Sequence, residues 1–218
     1  ELSYILAVQS KKAAEKNSAA SGSSPAKFLY AAKLLANNSV RVPEIYAFSE
    51  DLQFMLQEDL GDITLDIHKE IENRFILEEA LEQLSLIYSV DQDVLKAFSY
   101  NDLFHQTSNF LDIYEDRNIS IDENEVNVIH ALRKKLVEQI MEQPFLPTHN
   151  DFERRNFLLH KKQIYIIDFQ DLNVGPIGMD LASLLYEHDF DYPKDLIYEL
   201  LQKHCEKNAL GFDANHAD

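Results

Sequence analysis

Apolar residues recur along this chain with two different periods, and the changes between them mark its parts. Residues 3–9 (SYILAVQ) form a short β-rich apolar run that predicts a strand. Residues 11–24 are rich in Ala, Ser and Lys and read as a mobile loop. Ser24-Pro25 then reads as an N-cap with proline in the first helical turn, opening a helix to about Ala36. Phe28, Leu29, Ala32 and Leu35 lie on or near one face of it. Asn37-Asn38-Ser39 ends it. Residues 40–48 predict a strand broken by Pro43, and residues 53–57 (QFMLQ) another. A strand, a helix and two more strands fit a small sheet carrying one helix.

The pattern changes at Glu58-Asp59-Leu60-Gly61-Asp62, beyond which the 3.6-residue period takes over. Residues 73–89 predict an amphipathic helix with Phe75, Leu77, Ala80, Leu81, Leu84 and Ile87 on its apolar face. A second helix spans 101–115, with Leu103, Phe104, Phe110, Leu111 and Tyr114. Asp122 and Glu125 have capping-box spacing, opening a third that continues through Val126, Ile129, Leu132, Leu136 and Ile140. Pro144 and Pro147 stop it. Residues 157–159 and 164–167 predict a hairpin turning near Lys161-Lys162, followed by helices over 179–187 and 194–206. The organisation expected is a β-rich lobe at 1–57, a linker at 58–62 and a helical lobe at 63–218.

Composition narrows the function classes. The chain holds 38 acidic against 20 basic residues, a net charge of −18. That argues against a nucleic-acid partner, which needs Lys and Arg to displace counterions, and is otherwise ordinary for solubility. One cysteine, Cys205, forms no internal disulfide, and its place in an apolar-periodic helix predicts a buried inert thiol. No apolar run reaches the roughly 18 residues of a membrane span, and no signal peptide opens the sequence. A cytoplasmic protein is expected.

The chemistry concentrates in residues 148–183. Asp151 and Asn156 stand five apart in a loop, and the second strand of the hairpin delivers Asp168 at its end. Phosphoryl transfer from a nucleotide needs a carboxylate to orient and deprotonate a hydroxyl, hard oxygen ligands for Mg²⁺, and positive charge near the moving group. Asp151 suits the first, Asn156 and Asp168 the second, and Arg155 the third. Each residue alone is ordinary turn or cap chemistry. Their order around a hairpin is what carries the reading.

His149-Asn150-Asp151, Asn156 and Ile167-Asp168-Phe169-Gln170-Asp171 resemble the HxDxxxxN and DFxD signatures of the aminoglycoside phosphotransferase and choline kinase-like family. Gly175-Pro176, the run Asp180-Leu181-Ala182-Ser183 and the linker Glu58–Asp62 match as well, so the resemblance covers about residues 40–190. It implies an α+β, protein-kinase-like two-lobe fold, with a small β-rich N-terminal lobe and a larger helical lobe holding the catalytic hairpin. It implies ATP and Mg²⁺ as cofactors and a small-molecule acceptor. Asp151 matches the catalytic base and Asn156 and Asp168 the metal ligands. Asp180 matches an aspartate that braces the catalytic loop, and equally reads as a helix N-cap. His149 matches a packing histidine, and Asp171 a second acid of the site. Gln57, Glu58 and Leu60 would present backbone groups to adenine. The phrases FQDLNVGPIGMDLASLLY and EDLGDITL resemble bacterial N-acetylmuramate/N-acetylglucosamine kinases of cell-wall recycling, which act on an anomeric hydroxyl.

The pattern departs from the family at its start. No glycine-rich phosphate loop precedes Ser3, so the chain is expected to begin after the natural start. No lysine lies on the first strand, only Lys11 and Lys12 beyond it, and no Glu on the first helix pairs with one. Two rivals stay open: an aminoglycoside, choline or homoserine kinase, and a nucleotide-binding pseudokinase scaffold. Phe104, Phe110, Tyr114, Tyr186 and Phe190 are candidates to stack on a sugar, and at helical spacing most read as core. His105, His130 and His188 show no metal-ligand spacing. ATP against GTP and oligomeric state are not encoded in any motif.

Overall fold

The computed structural model describes residues 3–8, 25–49, 51, 54–67, 72–108, 117 and 122–211. The 11–24 loop with Lys11 and Lys12, the Ser24 cap, and Phe110, Leu111 and Tyr114 of the second helix lie outside the described residues. Three strands, β1 (Tyr4–Val8), β2 (Ile45–Ser49) and β3 (Phe54–Glu58), form an antiparallel sheet with β3 in the middle. Tyr4 faces Glu58 and Val8 faces Phe54 across it. Helix α1 (Pro25–Asn37) buries Ala31, Ala32 and Leu35. It ends because Ser39 adopts φ 64°, which lets Val40 N–H donate back to the Leu35 carbonyl at 3.0 Å.

The strand expected at 40–48 forms only after Pro43. Proline offers no ladder donor, and the backbone before it is engaged elsewhere. Arg41 N–H donates to Gln83 Oε1 at 2.8 Å, and its carbonyl accepts from Ile166 N at 2.7 Å. Its side chain donates to the Ile164 carbonyl at 2.8 Å and pairs with Glu79 at 2.6 Å. One residue thus joins the segment leaving α1 to the hairpin and the next helix.

The turn at 59–62 needs its glycine. Gly61 sits at φ 86°, where a side chain is strained, and its N–H donates to Asp59 Oδ1 at 2.9 Å. Beyond it, α2 (Asn73–Ile87) buries Leu77, Ala80, Leu81, Leu84 and Ile87 as the period predicts, with Ile76 buried in place of Phe75, which is only partly covered. Each large apolar side chain of that stripe stabilises the fold by about 2 kcal/mol. Capping boxes open α3 (Tyr100–Gln106) at Ser99/Asp102 and α4 (Glu123–Met141) at Asp122/Glu125.

Helix α4 corrects one expectation. Its buried positions are Arg133 and Val137, while Leu132 and Leu136 are exposed along a groove of about 650 Å³. Arg133 can turn inward because it is satisfied there. It donates to the Phe104 carbonyl at 2.8 Å and Thr107 Oγ1 at 3.1 Å, and lies 4.2 Å from the Phe104 ring centroid.

Strands β4 (Phe145–Thr148) and β7 (Asn173–Pro176) pair antiparallel, as do β5 (Phe157–His160) and β6 (Gln163–Ile166). Lys161 and Lys162 take φ 49° and 64°, the two left-handed residues of a type I′ hairpin turn. Helices α5 (Gly178–Leu185) and α6 (Lys194–Lys207) follow, and one hydrophobic core joins α1, α2, the β5–β6 hairpin, α5 and α6. Cys205 is buried in that last helix, as expected. No helix among the described residues is long and apolar enough to cross a membrane.

His204 is buried at the seam of α2 and α6, 3.5 Å from Ser85 Oγ and 3.4 Å from Tyr88 OH. Burial holds its imidazole down at about 4, below the ordinary 6.5. The fold therefore favours the neutral ring, and this stabilisation is full above pH 6.5 and lost as pH falls towards 4. Acidification across that window should remove about 3 kcal/mol through this group. His204→Gln should flatten the fall of the urea midpoint over the same window; a slope identical to wild type would refute the assignment.

Candidate active site

The β4–β7 pair and the β5–β6 hairpin carry the candidate residues on one connected run. Thr148 ends β4 opposite Asn173 and donates to Asn173 Oδ1 at 2.9 Å. A side chain at Gly175 would meet the Phe98 ring and Thr148 Oγ1 at 3.0 Å, so the close approach of these two strands requires glycine there. The chain then turns through Asn150, at φ 74°, into Asp151.

Asp180, at the start of α5, holds that turn. It is fully buried and accepts from His149 N at 2.7 Å and Asn150 N at 2.9 Å, one bond to each oxygen. Burial pushes its carboxyl up to about 7, against the pull of the two N–H groups. The sequence left two readings for Asp180, loop brace and helix cap. The contacts are those of the brace, and α5 has no side-chain cap bond.

His149 packs rather than faces solvent. Nε2 lies 3.0 Å from the Ile167 carbonyl, so it carries the proton, and Nδ1 accepts from Asp151 N–H at 3.3 Å. Burial lowers its pKa, while the Asp151, Asp168 and Asp171 carboxylates pull it upward. The ring is neutral and joins the Asp151 loop to the end of β6. Phe152 packs edge-on against both His149 and Phe157, fixing the loop from the other side of Asp151.

The Asp151 side chain is partly exposed and held by two neighbours. Arg155 Nη2 donates to its oxygens at 2.9 and 3.0 Å. Asn156 Nδ2 donates to its Oδ2 at 3.0 Å and to its carbonyl at 2.8 Å. Burial pushes the carboxyl up, but these hydrogen bonds outweigh it and hold Asp151 below the ordinary range. Glu153 shares Arg155, and burial together with the Asp151 carboxylate raises it. Asp151 is thus the stronger acid of the pair.

The hairpin returns Asp168 to the same place. Phe157 pairs with Ile166, and Ile167 N–H donates to the Asn156 carbonyl at 3.0 Å. Asp168 takes φ 61° and accepts from Gln170 Nε2 at 2.8 Å. Asn156 commits its amide nitrogen to Asp151, so its amide oxygen is the end turned away from that carboxylate. Among the described residues no three His, Cys, Asp or Glu side chains converge as a closed metal cage. The donors present are a carboxylate and an amide oxygen. They fit Mg²⁺, which takes few protein oxygens and completes its octahedron with water and phosphate.

Asp171 reaches the N-terminal helix. Lys27 Nζ lies 2.7 Å from Asp171 Oδ1, and the Phe28 and Phe169 rings pack with centroids 4.6 Å apart. The structure therefore brings Asp151, Arg155, Asn156, Asp168 and Asp171 together. Gln57 and Glu58 end β3, and Leu60 follows it. There Glu58 N–H is committed to the Glu44 carbonyl at 2.8 Å, and the Leu60 carbonyl to His160 Nδ1 at 3.0 Å. Leu60's side chain is in the interior. Of the aromatic candidates, Phe104 lies against Arg133, Phe190 against Arg154, and Tyr186 is exposed. His105, His130 and His188 are exposed. Sequence reading passed over Thr148, Asn173, Lys27 and Glu153. Thr148 and Glu153 stood within three residues of Asp151, whereas Lys27 is far from it in sequence.

The sequence model of the phosphotransferase enzyme family matches residues 12–213. An N-acetylmuramate/N-acetylglucosamine kinase of Pseudomonas aeruginosa is 29% identical over 184 residues, 83% of this chain and 54% of that protein. A protein of the same name from Neisseria meningitidis serogroup B is 25% identical over 176 residues, 77% of this chain and 53% of its own. The chain spans about half the length of the curated relatives it matches. Among solved structures, the ADP-bound aminoglycoside phosphotransferase APH(2'')-Ib superposes with a TM-score of 0.66 at 20% identity, covering 94% of this chain and 71% of that one. Choline kinase LicA from Streptococcus pneumoniae gives 0.68 at 18% identity, covering 99% and 71%. These likenesses establish the kinase-like α+β fold that the motifs implied. Together with the family match across most of its length, they show that the chain belongs to the phosphotransferase enzyme family.

Proposed function

We propose that this chain is the catalytic part of an ATP- and Mg²⁺-dependent kinase that phosphorylates a hydroxyl of an amino sugar such as N-acetylmuramate or N-acetylglucosamine. The observation that carries this reading is the Asp151 carboxylate, held as an anion by Arg155 and Asn156 and joined through the hairpin to Asp168. Asp151 orients the acceptor hydroxyl in line with the γ-phosphoryl and takes its proton as the bond forms. A carboxylate held this acidic is a weak base, so orientation is its larger part, as suits a loose phosphoryl-transfer transition state. Asn156 and Asp168 would hold Mg²⁺, which when bound supplies charge neutralisation at the phosphate oxygens. Arg155 spends its charge on Asp151 and Glu153 and keeps Asp151 ionised; it reaches a phosphoryl group only by leaving that pair.

Residues 1–57 form the nucleotide lobe in this reading, 58–62 the linker whose backbone faces adenine near Gln57, Glu58 and Leu60, and 63–218 the acceptor lobe. The names of the two relatives favour the sugar acceptor over an aminoglycoside or choline. The cytoplasm, where ATP is made available, is the compartment the reaction implies. The test is ADP release with ATP, MgCl₂ and a panel of amino sugars, aminoglycosides and amino alcohols, with ³¹P NMR of the product. An anomeric sugar phosphate is expected, and excess EDTA should abolish its formation. Absence of acceptor-dependent ADP across the whole panel would overturn the reading.

A further inference from the structure

Arg154 is the largest fully buried side chain among the described residues, and it stands between Glu153 and Arg155 in the turn (Arg154–Asn156) that holds Asp151. A guanidinium removed from water needs partners for five donors. Here Nη1 donates to Asn73 Oδ1 at 2.9 Å, and the group lies 3.8 Å from the Phe190 ring centroid. Its Nε and Nη2 are buried with no partner.

Among the other buried oxygens without partners in the described residues are Glu187 Oε2, Asp66 Oδ1 and Tyr192 OH. Glu187 faces the Arg154 backbone N–H and feels Arg154 and Asp66, and Tyr192 feels Arg154 and Glu187. Buried donors and acceptors that lie near one another are complementary in kind. Just outside it, His188 faces Glu153. The stretch 187–192 that follows α5 therefore lies along the turn, with Arg154 as the side chain joining the two.

We propose that Arg154 is a positioning residue: its hydrogen bond to Asn73, its packing on the Phe190 ring and its closeness to Glu187 and Tyr192 hold the 154–156 turn, and through that turn the placement of Asp151. The proposal rests on the kinase reading for its consequence in turnover, and on the packing alone for its consequence in loop rigidity. Arg155 and Asn156 hold Asp151 only as well as their own backbone is held. Arg154 fixes that backbone to α2 through Asn73 and to the 187–192 segment through Phe190.

The experiment compares wild type with Arg154→Met, Arg154→Lys and Glu187→Gln by amide hydrogen exchange and by steady-state kinetics with ATP and the acceptor found above. Arg154→Met should speed exchange across residues 149–157 about tenfold while α2 keeps its protection. Its kcat should fall about 10- to 100-fold with the KM for ATP within about twofold. Arg154→Lys should restore part of both, and Glu187→Gln should loosen the same loop to a smaller degree. Unchanged exchange at 149–157 in both Arg154 variants overturns the proposal. So does a uniform loss of protection that includes α2 in both, since that marks a merely structural role. If wild type turns over no acceptor, the kinase reading falls and the exchange result still decides the positioning role.

Discussion

Asp151→Asn should lower phosphoryl transfer about a thousandfold while moving the thermal midpoint by only a few degrees. The asparagine has the same shape and keeps one oxygen for the Asn156 amide, so the loop retains its packing on His149 and Phe152. What disappears is the negative charge that orients a hydroxyl and accepts its proton. The stability change is small because the Asp151–Arg155 pair is substantially exposed, and exposed pairs contribute less than about 1 kcal/mol. Glu153→Gln is the control. Glu153 also holds Arg155, yet burial and its neighbour favour its protonated form. That variant should stay within about tenfold of wild type. The reading of Asp151 fails if its own variant also does so in initial-rate measurements of ADP release.

Asp180→Ala should destabilise the protein by about 2–6 kcal/mol, read as a shift of the urea midpoint at unchanged slope. Removing the carboxylate leaves the His149 and Asn150 N–H groups buried without an acceptor, at about 1–3 kcal/mol each. Against a typical total of 5–15 kcal/mol this is a large share. In the folded fraction the turn leading to Asp151 loses its brace, so kcat should fall while the rest of the fold stays native by far-UV circular dichroism. Asp180→Asn retains one acceptor oxygen and should lie between alanine and wild type. A loss under 1 kcal/mol for the alanine variant would show that other contacts hold the turn.

The parts legible in sequence are those in which local pattern and final environment agree. The α2 stripe, the Asp122/Glu125 capping box and the 157–166 hairpin needed only nearest neighbours along the chain. The grouping of the candidate residues was legible for another reason: Asp151 and Asn156 precede one hairpin and Asp168 follows it, so their spacing already encodes their proximity. Strands β4 and β7 were invisible. Each has four residues, Pro147 read as a stop signal, and Gly175-Pro176 carried only a motif match. They are strands because they find each other across 25 residues, a pairing that no single window contains. The inward turn of Arg133 was hidden likewise, since its acceptors Phe104 and Thr107 sit on another helix. The buried state of Arg154 gave no sequence signal beside Arg155. Nothing local in the sequence tells which of the two adjacent arginines the fold buries and which it exposes.

The link between Asp171 and the N-terminal helix has two components that respond oppositely to dissolved ions. The Lys27–Asp171 pair is about half exposed on both sides, so raising ionic strength screens it. The Phe28–Phe169 contact beside it is apolar, and excluded salts such as sulfate strengthen it. Chloride and sulfate at matched ionic strength should therefore part company here. Chloride loosens the tie by weakening its charged half, whereas sulfate offsets that loss by tightening the aromatic half. The helix is held near the site as much by the choice of anion as by the amount of it.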